Sequence, residues 1–318
     1  MGWTNFPKGI TSMGVPVFGT GAASIPVTLG NYWFVNGATG VNDPAYGKEP
    51  GKPFDTIDYA IGKCSAYDVI IVAPGHTETI SSVGGITADV IGITVVGLGT
   101  GLKRPTVTMN TAATTSVVVS AASVTFDNII FTANYADIAT CFTVTGKDCT
   151  IKNCSFLETA TDMNFLSCIL TGTTDNGADG LSVINNERIS IDAAALAFVS
   201  ILGNCNRLKV IGNFDNQSSA ANVGHFIIMA AKVCLGAQII GNILQLNGDN
   251  NAQTVGIFMT GSSTTSTGIV AYNLVGSLDT TTVLLDTATL DFQHFENYYT
   301  GTIAASGKLW PAADAAIS

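Results

Sequence analysis

The sequence predicts an all-β solenoid, a chain that winds through short strands with no helix between them. Three observations predict it. An apolar residue two places before an Asn recurs from residue 124 onward, at steps of 24 to 33 residues. Short β-prone runs precede and often follow each recurrence. The composition, 47% hydrophobic and 11% charged over 318 residues, excludes disorder, and 34 Gly fall far short of the collagen period. Self-similarity at a short fixed period marks a repeat architecture.

The Asn-bearing segments are Val124-Thr-Phe-Asp-Asn128, Cys149-Thr-Ile-Lys-Asn153, Ser182-Val-Ile-Asn-Asn186 and Lys209-Val-Ile-Gly-Asn213. Gln238-Ile-Ile-Gly-Asn242, Ile269-Val-Ala-Tyr-Asn273 and Gln293-His-Phe-Glu-Asn297 continue the series, with Gly97 in the same slot upstream. Runs such as Val117-Val-Val119 and Phe226-Ile-Ile-Met229 come before them, and Ile129-Ile-Phe131 or Ile243-Leu-Gln-Leu246 after. Three short strands per ~28 residues make one coil, so residues 70–302 give about eight coils in a rod roughly 40 Å long. A tight bend between strands wants a left-handed backbone, which Asn and Gly tolerate best. Stacked coils then bring successive Asn amides one strand spacing apart, as a structural ladder.

Residues 31–69 are expected to cap the rod. Phe54, Ile57, Ile61 and Cys64 share one face of a short helix, with Pro53 and Asp55 in its first turn. The helix feeds a first strand at Asp68-Val-Ile-Ile-Val72. Residues 1–30 carry almost no charge, yet include Trp3, Phe6, Ile10, Met13, Val15, Val17, Phe18, Ile25 and Val27. A solvated linker would not hold so many apolar side chains, so this arm is expected to dock in extended form on a partner, a neighbouring subunit or the capsid shell, with Trp3, Phe6, Ile10, Val15, Val17 and Phe18 as contacts; packing along the protein's own rod is the alternative. The tail, 303–318, closes the far end or joins subunits.

Thirteen Lys plus Arg against 23 Asp plus Glu leave a net charge of −10. That balance argues against nucleic acid and anionic membranes as partners. The start of the chain has no signal-peptide pattern, and the most apolar window, 225–244, contains His225, Lys232, Gln238 and Asn242, which suits two buried strands better than a membrane span. Seven scattered cysteines with no zinc spacing read as reduced thiols in a protein made in the cytoplasm.

Phe34-Val-Asn-Gly, Lys52-Pro-Phe-Asp-Thr-Ile-Asp-Tyr-Ala-Ile and Asp68-Val-Ile-Ile-Val-Ala-Pro-Gly-His-Thr-Glu-Thr-Ile80 resemble the opening of right-handed parallel β-helix proteins of the pectin-lyase-like superfamily. The first residues, Gly2-Trp-Thr-Asn-Phe-Pro-Lys-Gly-Ile-Thr-Ser-Met-Gly-Val-Pro16, resemble β-helix structural proteins of tailed phages. The resemblance covers residues 1 to about 130. It implies a homotrimeric virion component, made in the host cytoplasm and assembled on the major capsid protein or another virion protein. A trimeric capsid decoration (cement) protein is the expectation. A tail fibre or tailspike component, with a host surface glycan as partner, is the alternative, and a polysaccharide depolymerase comes third.

No catalytic, metal or cofactor residue is assigned from the sequence. A glycosidase needs two carboxylates about 5–9 Å apart, which a solenoid places on neighbouring coils. Asp127 and Lys152 are expected as an exposed neighbouring pair. Glu187, Arg188 and Asp215 form the best remaining cluster and are read as surface polars on different faces. Asp175-Asn-Gly-Ala-Asp179-Gly is a fragment of a calcium loop, read as a turn. His76, His225 and His294 are read as structural.

Overall fold

The computed structural model describes residues 11–12, 15–16, 26, 28–192, 194–219, 224–246, 256–259, 266–277, 285–287, 291–301 and 307–308. Among the described residues it is an all-β parallel solenoid of the right-handed type, with three long sheets, a separate two-stranded sheet and little helix. Sheet I has ten strands, running in chain order from Tyr32–Val35 and Val69–Val72 through Thr125–Asp127, Thr150–Lys152 and Ser182–Ile184 to Asp291–Phe295. Sheet II, also ten-stranded, runs from Thr77–Ile80 through Ile130–Ala133, Ser155–Glu158, Glu187–Ser190 and Phe214–Gln217 to Tyr298–Gly301. Its last strand, Gly307–Lys308, pairs antiparallel with Tyr298–Gly301. Sheet III has eight strands, from Ile86–Ala88 through Phe165–Thr171, Ala197–Ile201 and His225–Met229 to Leu285–Asp286.

Each strand pairs with its counterpart one coil away, so identical positions stack in columns. Side chains alternate between lumen and solvent, because successive Cβ atoms in a strand point to opposite faces. The lumen of the lower and middle coils is filled by rings. Phe131 meets Phe142 edge-on at 4.8 Å and stacks on Phe156 at 5.9 Å. Phe156 meets Phe198 at 5.6 Å, and Phe198 stacks on Phe226 at 5.4 Å. Each such ring, wholly buried, removes enough apolar area from water to stabilise the fold by ~1.5–3 kcal/mol.

The helix is shorter than the sequence pattern suggests. It spans Ile57–Ile61 and starts at Thr56, whose Oγ1 accepts from the Tyr59 amide at 3.3 Å. Pro53 and Asp55 therefore lie ahead of it rather than in its first turn. Phe54 is the reason. Its N–H donates to Phe34 O, and it bridges in parallel to Val35. That pairing holds the preceding residues extended and delays the helix. Asp58 Oδ1 accepts from the Thr87 amide at 2.9 Å, on the first strand of sheet III.

Asp68 ties Tyr32–Val35 to the strand that follows it in the sheet. Its carboxylate accepts from the amides of Asn31 (2.6 Å) and Ser65 (2.8 Å) and from Trp33 Nε1 (2.9 Å). Burial pushes the carboxyl up, but these donors outweigh it and hold Asp68 below the usual carboxylate value. Among the described residues no helix is long and apolar enough to cross a membrane. All seven cysteines are free, and burial pushes Cys64 and Cys154 up to about 12.

Candidate functional site

The corner between sheets I and II holds the predicted ladder, with one correction of register. Asn186, Asn213, Asn242, Asn273 and Asn297 stack inside the solenoid. Their Nδ2-to-Oδ1 bonds measure 3.1, 3.0, 2.9 and 2.9 Å from one Asn to the next. Each Oδ1 from Asn213 onward also accepts the backbone amide of the Asn below it. Each Nδ2 also donates to a carbonyl of the coil below, such as Ile151 O for Asn186 and Val210 O for Asn242.

Asn128 and Asn153 are not rungs. Sheet pairing sets Asp127 and Lys152 opposite Ile184, not opposite Asn185, so Asn128 and Asn153 fall in the column of Asn185 and the slot of Asn186 belongs to Ile129 and Cys154. The left-handed residue is also not the ladder Asn but the one before it: Asn185 (φ 53°), Gly212 (66°), Gly241 (65°), Tyr272 (57°) and Glu296 (42°), with Asn128 (61°) and Asn153 (54°) in the same column. The two roles assigned to one Asn thus belong to neighbouring positions: one residue turns the chain, and the next closes the ladder. Gly97 shares the turning column, but its φ is not positive.

Two residues beyond each rung, side chains point into the lumen of sheet II. The column reads Val107, Phe131, Phe156, Arg188, Asp215, Leu244 and Val275. Arg188 and Asp215 are therefore directly opposite, which overturns their reading as surface polars on different faces. Both stand two places after an Asn of the ladder, and that shared offset puts them on one face. Arg188 Nε and Nη2 meet Asp215 Oδ1 and Oδ2 at 2.6 and 2.7 Å, with side chains 2% and 0% exposed. Gln217 Nε2 donates to Asp215 Oδ2 at 3.1 Å, and the guanidinium lies 5.7 Å from the centre of the Phe198 ring. Burial works against the Arg188 charge, but the Asp215 carboxylate outweighs it and raises its pKa. Glu187, by contrast, is half-buried and accepts from Ser155 Oγ at 3.1 Å. An ion pair enclosed in this way holds the lumen together and cannot meet a polymeric substrate.

Other singled-out residues have structural partners. Asp127 meets Lys152 Nζ at 3.3 Å and accepts from Asn153 Nδ2 at 2.7 Å, the neighbouring pair expected, although Asp127 is buried rather than exposed. His76 is buried. Its Nδ1 accepts from the Gly37 amide at 2.8 Å, and its Nε2 lies 3.3 Å from Glu78 Oε2, which also accepts from the Ile57 amide. Asp175 and Asp179 spend a carboxylate oxygen each on the amides of Asn204 and Asn206, one coil above. His225 lies against the Phe258 ring at 5.6 Å. His294 Nε2 lies 3.0 Å from Thr287 Oγ1, and burial lowers its pKa.

The features open to a partner lie on the flanks. On sheet II the residue immediately after each rung points outward, and Phe214, Ile243, Leu274 and Tyr298 form an apolar column in register. Ile243, Leu274 and Tyr298 remain 38–46% exposed, with Tyr272 and Phe295 exposed at the adjoining corner. The offset from the Asn was visible in the sequence, and reading one place past each Asn would have found this stripe. On sheet III a groove of about 580 Å³ is lined mainly by apolar side chains such as Leu166, Leu170, Leu196 and Ile228, with His225 and Lys232 also in its lining. Contiguous exposed apolar patches on soluble proteins mark interaction sites. Of the arm residues, Trp3, Phe6, Ile10, Val17 and Phe18 lie outside the described residues. Val15 belongs to a two-residue strand, Val15–Pro16, paired antiparallel with Thr11–Ser12.

No family model matches the chain, and no curated protein matches it. Among solved structures, the pectin methylesterase from Aspergillus niger in deglycosylated form is similar over 86% of this chain and 87% of its own, at 12% identity and a TM-score of 0.41. A rhamnogalacturonan lyase is similar over 88% of this chain and 90% of its own, at 11% identity and a TM-score of 0.41. At this distance neither transfers an activity.

Proposed function

We propose that the chain is a non-enzymatic structural rod of a phage particle, a trimeric capsid decoration protein whose N-terminal arm anchors it. The apolar column Phe214, Ile243, Leu274 and Tyr298 carries this reading. A lone rod gains nothing from apolar side chains on its outer face, whereas rods packed side by side bury them. The interior supports the same reading: amide ladder, ring stack and enclosed ion pair all resist opening, as a particle exposed to its surroundings requires. The phage assignment itself rests on the resemblance of residues 1–130. Trp3, Phe6 and Ile10 at the far end of the arm are the anchoring residues in this proposal.

Sedimentation analysis of the purified protein tests the packing. A trimer is expected, and Leu274→Asp with Tyr298→Asp shifts it to monomer without loss of β-sheet circular dichroism. A wild-type monomer at micromolar concentration overturns side-by-side assembly. Cryo-electron microscopy of the particle tests the location. Icosahedral copy number supports decoration, whereas a few copies at the tail favour a fibre. Release of reducing sugars from host polysaccharide by the purified protein would overturn the non-enzymatic assignment.

A further inference from the structure

The groove on sheet III combines an elongated apolar trough with one cation at its end. It runs along the fourth to sixth strands of that sheet, Phe165–Thr171, Ala197–Ile201 and His225–Met229. Leu166 and Leu196 stand near the start of these strands, Leu170 and Ile228 further along them, and Lys232 just past the last strand. Seven residues take the chain from His225 to Lys232, so the trough extends at most ~23 Å in that direction. Its volume, about 580 Å³, lies in the ~300–1,000 Å³ range of small-molecule sites, which are mostly apolar with a few fixed polar groups.

The charge at the groove runs against that of the chain. The protein carries a net charge of −10, yet among the described residues the lining holds no carboxylate and one lysine, Lys232. Lys232 is half-buried and has no ion-pair or hydrogen-bond partner among the described residues. An ammonium partly withdrawn from water beside apolar side chains gains from an anion, because the pair interacts more strongly there than in bulk solvent. His225, at the other end, lies against the Phe258 ring at 5.6 Å.

The remaining polar groups are occupied. Ser167 Oγ and Ser200 Oγ bond each other at 3.0 Å, and the three strands pair with one another in register. A peptide lying in the trough would lose water from its own N–H and C=O groups and find few partners there. No Phe, Tyr or Trp lines the walls for a flat ring system to stack on. A saturated chain has no polar group to desolvate and suits walls of leucine and isoleucine.

We infer that the sheet III groove binds a free alkyl carboxylate, with its chain along Leu196, Leu170 and Ile228 and its carboxylate on the Lys232 ammonium. This binding needs neither a virion nor a trimer, so its failure and that of the proposed function are distinguishable.

The test is isothermal titration calorimetry of the full chain with dodecanoate, below its critical micelle concentration and at mildly alkaline pH. Saturable binding of one molecule per chain is expected, and dodecyltrimethylammonium, with the same tail and the opposite charge, should bind at least tenfold more weakly. Lys232→Met should weaken dodecanoate about tenfold and leave the cationic amphiphile unchanged. Leu196→Asp with Leu202→Asp, both at exposed positions, should abolish binding of both while circular dichroism stays that of the wild type. Absence of saturable dodecanoate binding, or equal affinity for the two amphiphiles, overturns the proposal. Binding that survives the double Leu variant overturns it by placing the ligand elsewhere on the rod. Sedimentation with vesicles of phosphatidylcholine and phosphatidylglycerol, without binding of free dodecanoate, overturns it in favour of a membrane surface.

Discussion

The lower and upper coils solve the same corner in different ways. At the slot where sheet I turns into sheet II, the lower coils place Ile129 and Cys154, and the upper ones place Asn186 to Asn297. In the adjoining lumen column the lower coils stack Phe131 on Phe156, whereas the middle ones set Arg188 against Asp215. Backbone pairing is the same in both. What differs is how the interior compensates for burial. Apolar coils gain from removing area from water and tolerate small changes of shape. Polar coils gain only while every donor and acceptor is matched, since an orphaned buried group costs more than the bond it lost.

The largest effect that would break this contrast is at the ion pair. Arg188→Ala or Asp215→Ala leaves an uncompensated charge in the lumen, and the destabilisation expected is ~3–5 kcal/mol, read from the shift in urea midpoint. Replacing both, Arg188→Met with Asp215→Leu, continues the apolar column of Phe156 and Leu244. It removes both charges at once and should recover most of the loss of either single variant, short of wild type because the buried Gln217 amide loses its acceptor. If the double variant is as weak as the singles, the pair contributes more than mutual neutralisation.

The ladder comes next. Asn242→Ala removes the acceptor used by the Asn213 amide and Nδ2, and the donor to Val210 O. A cost of ~2–3 kcal/mol is expected from the orphaned groups. Cys154→Ala, at the same slot in an apolar coil, should cost only ~1 kcal/mol. Cys154→Asn sharpens the comparison. The Asn186 Oδ1 already accepts the Cys154 amide at 2.9 Å, and the thiol already lies 4.0 Å from Phe126 O, where a ladder amide would donate. The new Asn should extend the ladder by one rung without destabilising the protein. A loss comparable to that of Asn242→Ala would show that the lower coils cannot hold an amide.

The smallest effect is at the turning column. Tyr272 adopts the left-handed conformation that Gly212 and Gly241 occupy at no steric cost. Tyr272→Gly should stabilise the monomeric Leu274→Asp, Tyr298→Asp background by ~0.5–1 kcal/mol, measured by thermal unfolding. Gly212→Ala should do the reverse, because the φ of 66° there is a left-handed conformation that a Cβ strains.

Much of this architecture was legible in the chain. The recurring apolar-x-Asn segments mark sheet I, the β-prone runs around them mark sheets II and III, and five of the seven Asn are the rungs expected. Asn128 and Asn153 were misplaced because Asn suits both the left-handed turn and the ladder. A one-residue offset between the two roles leaves the spacing almost unchanged. Arg188 and Asp215 were misread because charged residues in a strand ordinarily face water. Only their equal distance from a rung showed that they share a face. The helix was overextended because periodicity could not foresee the pairing of Phe54 with sheet I.

The sequence by itself determined the winding, since the period of about 28 residues and the β-propensity of each short run are local properties repeated along the chain. Only the tertiary structure decided which of two neighbouring Asn closes the ladder, which charges lie in the lumen and which apolar residues remain outside. Those choices depend on register. In a strand, a shift of one residue exchanges inside for outside, and register is set by contacts between coils some 28 residues apart.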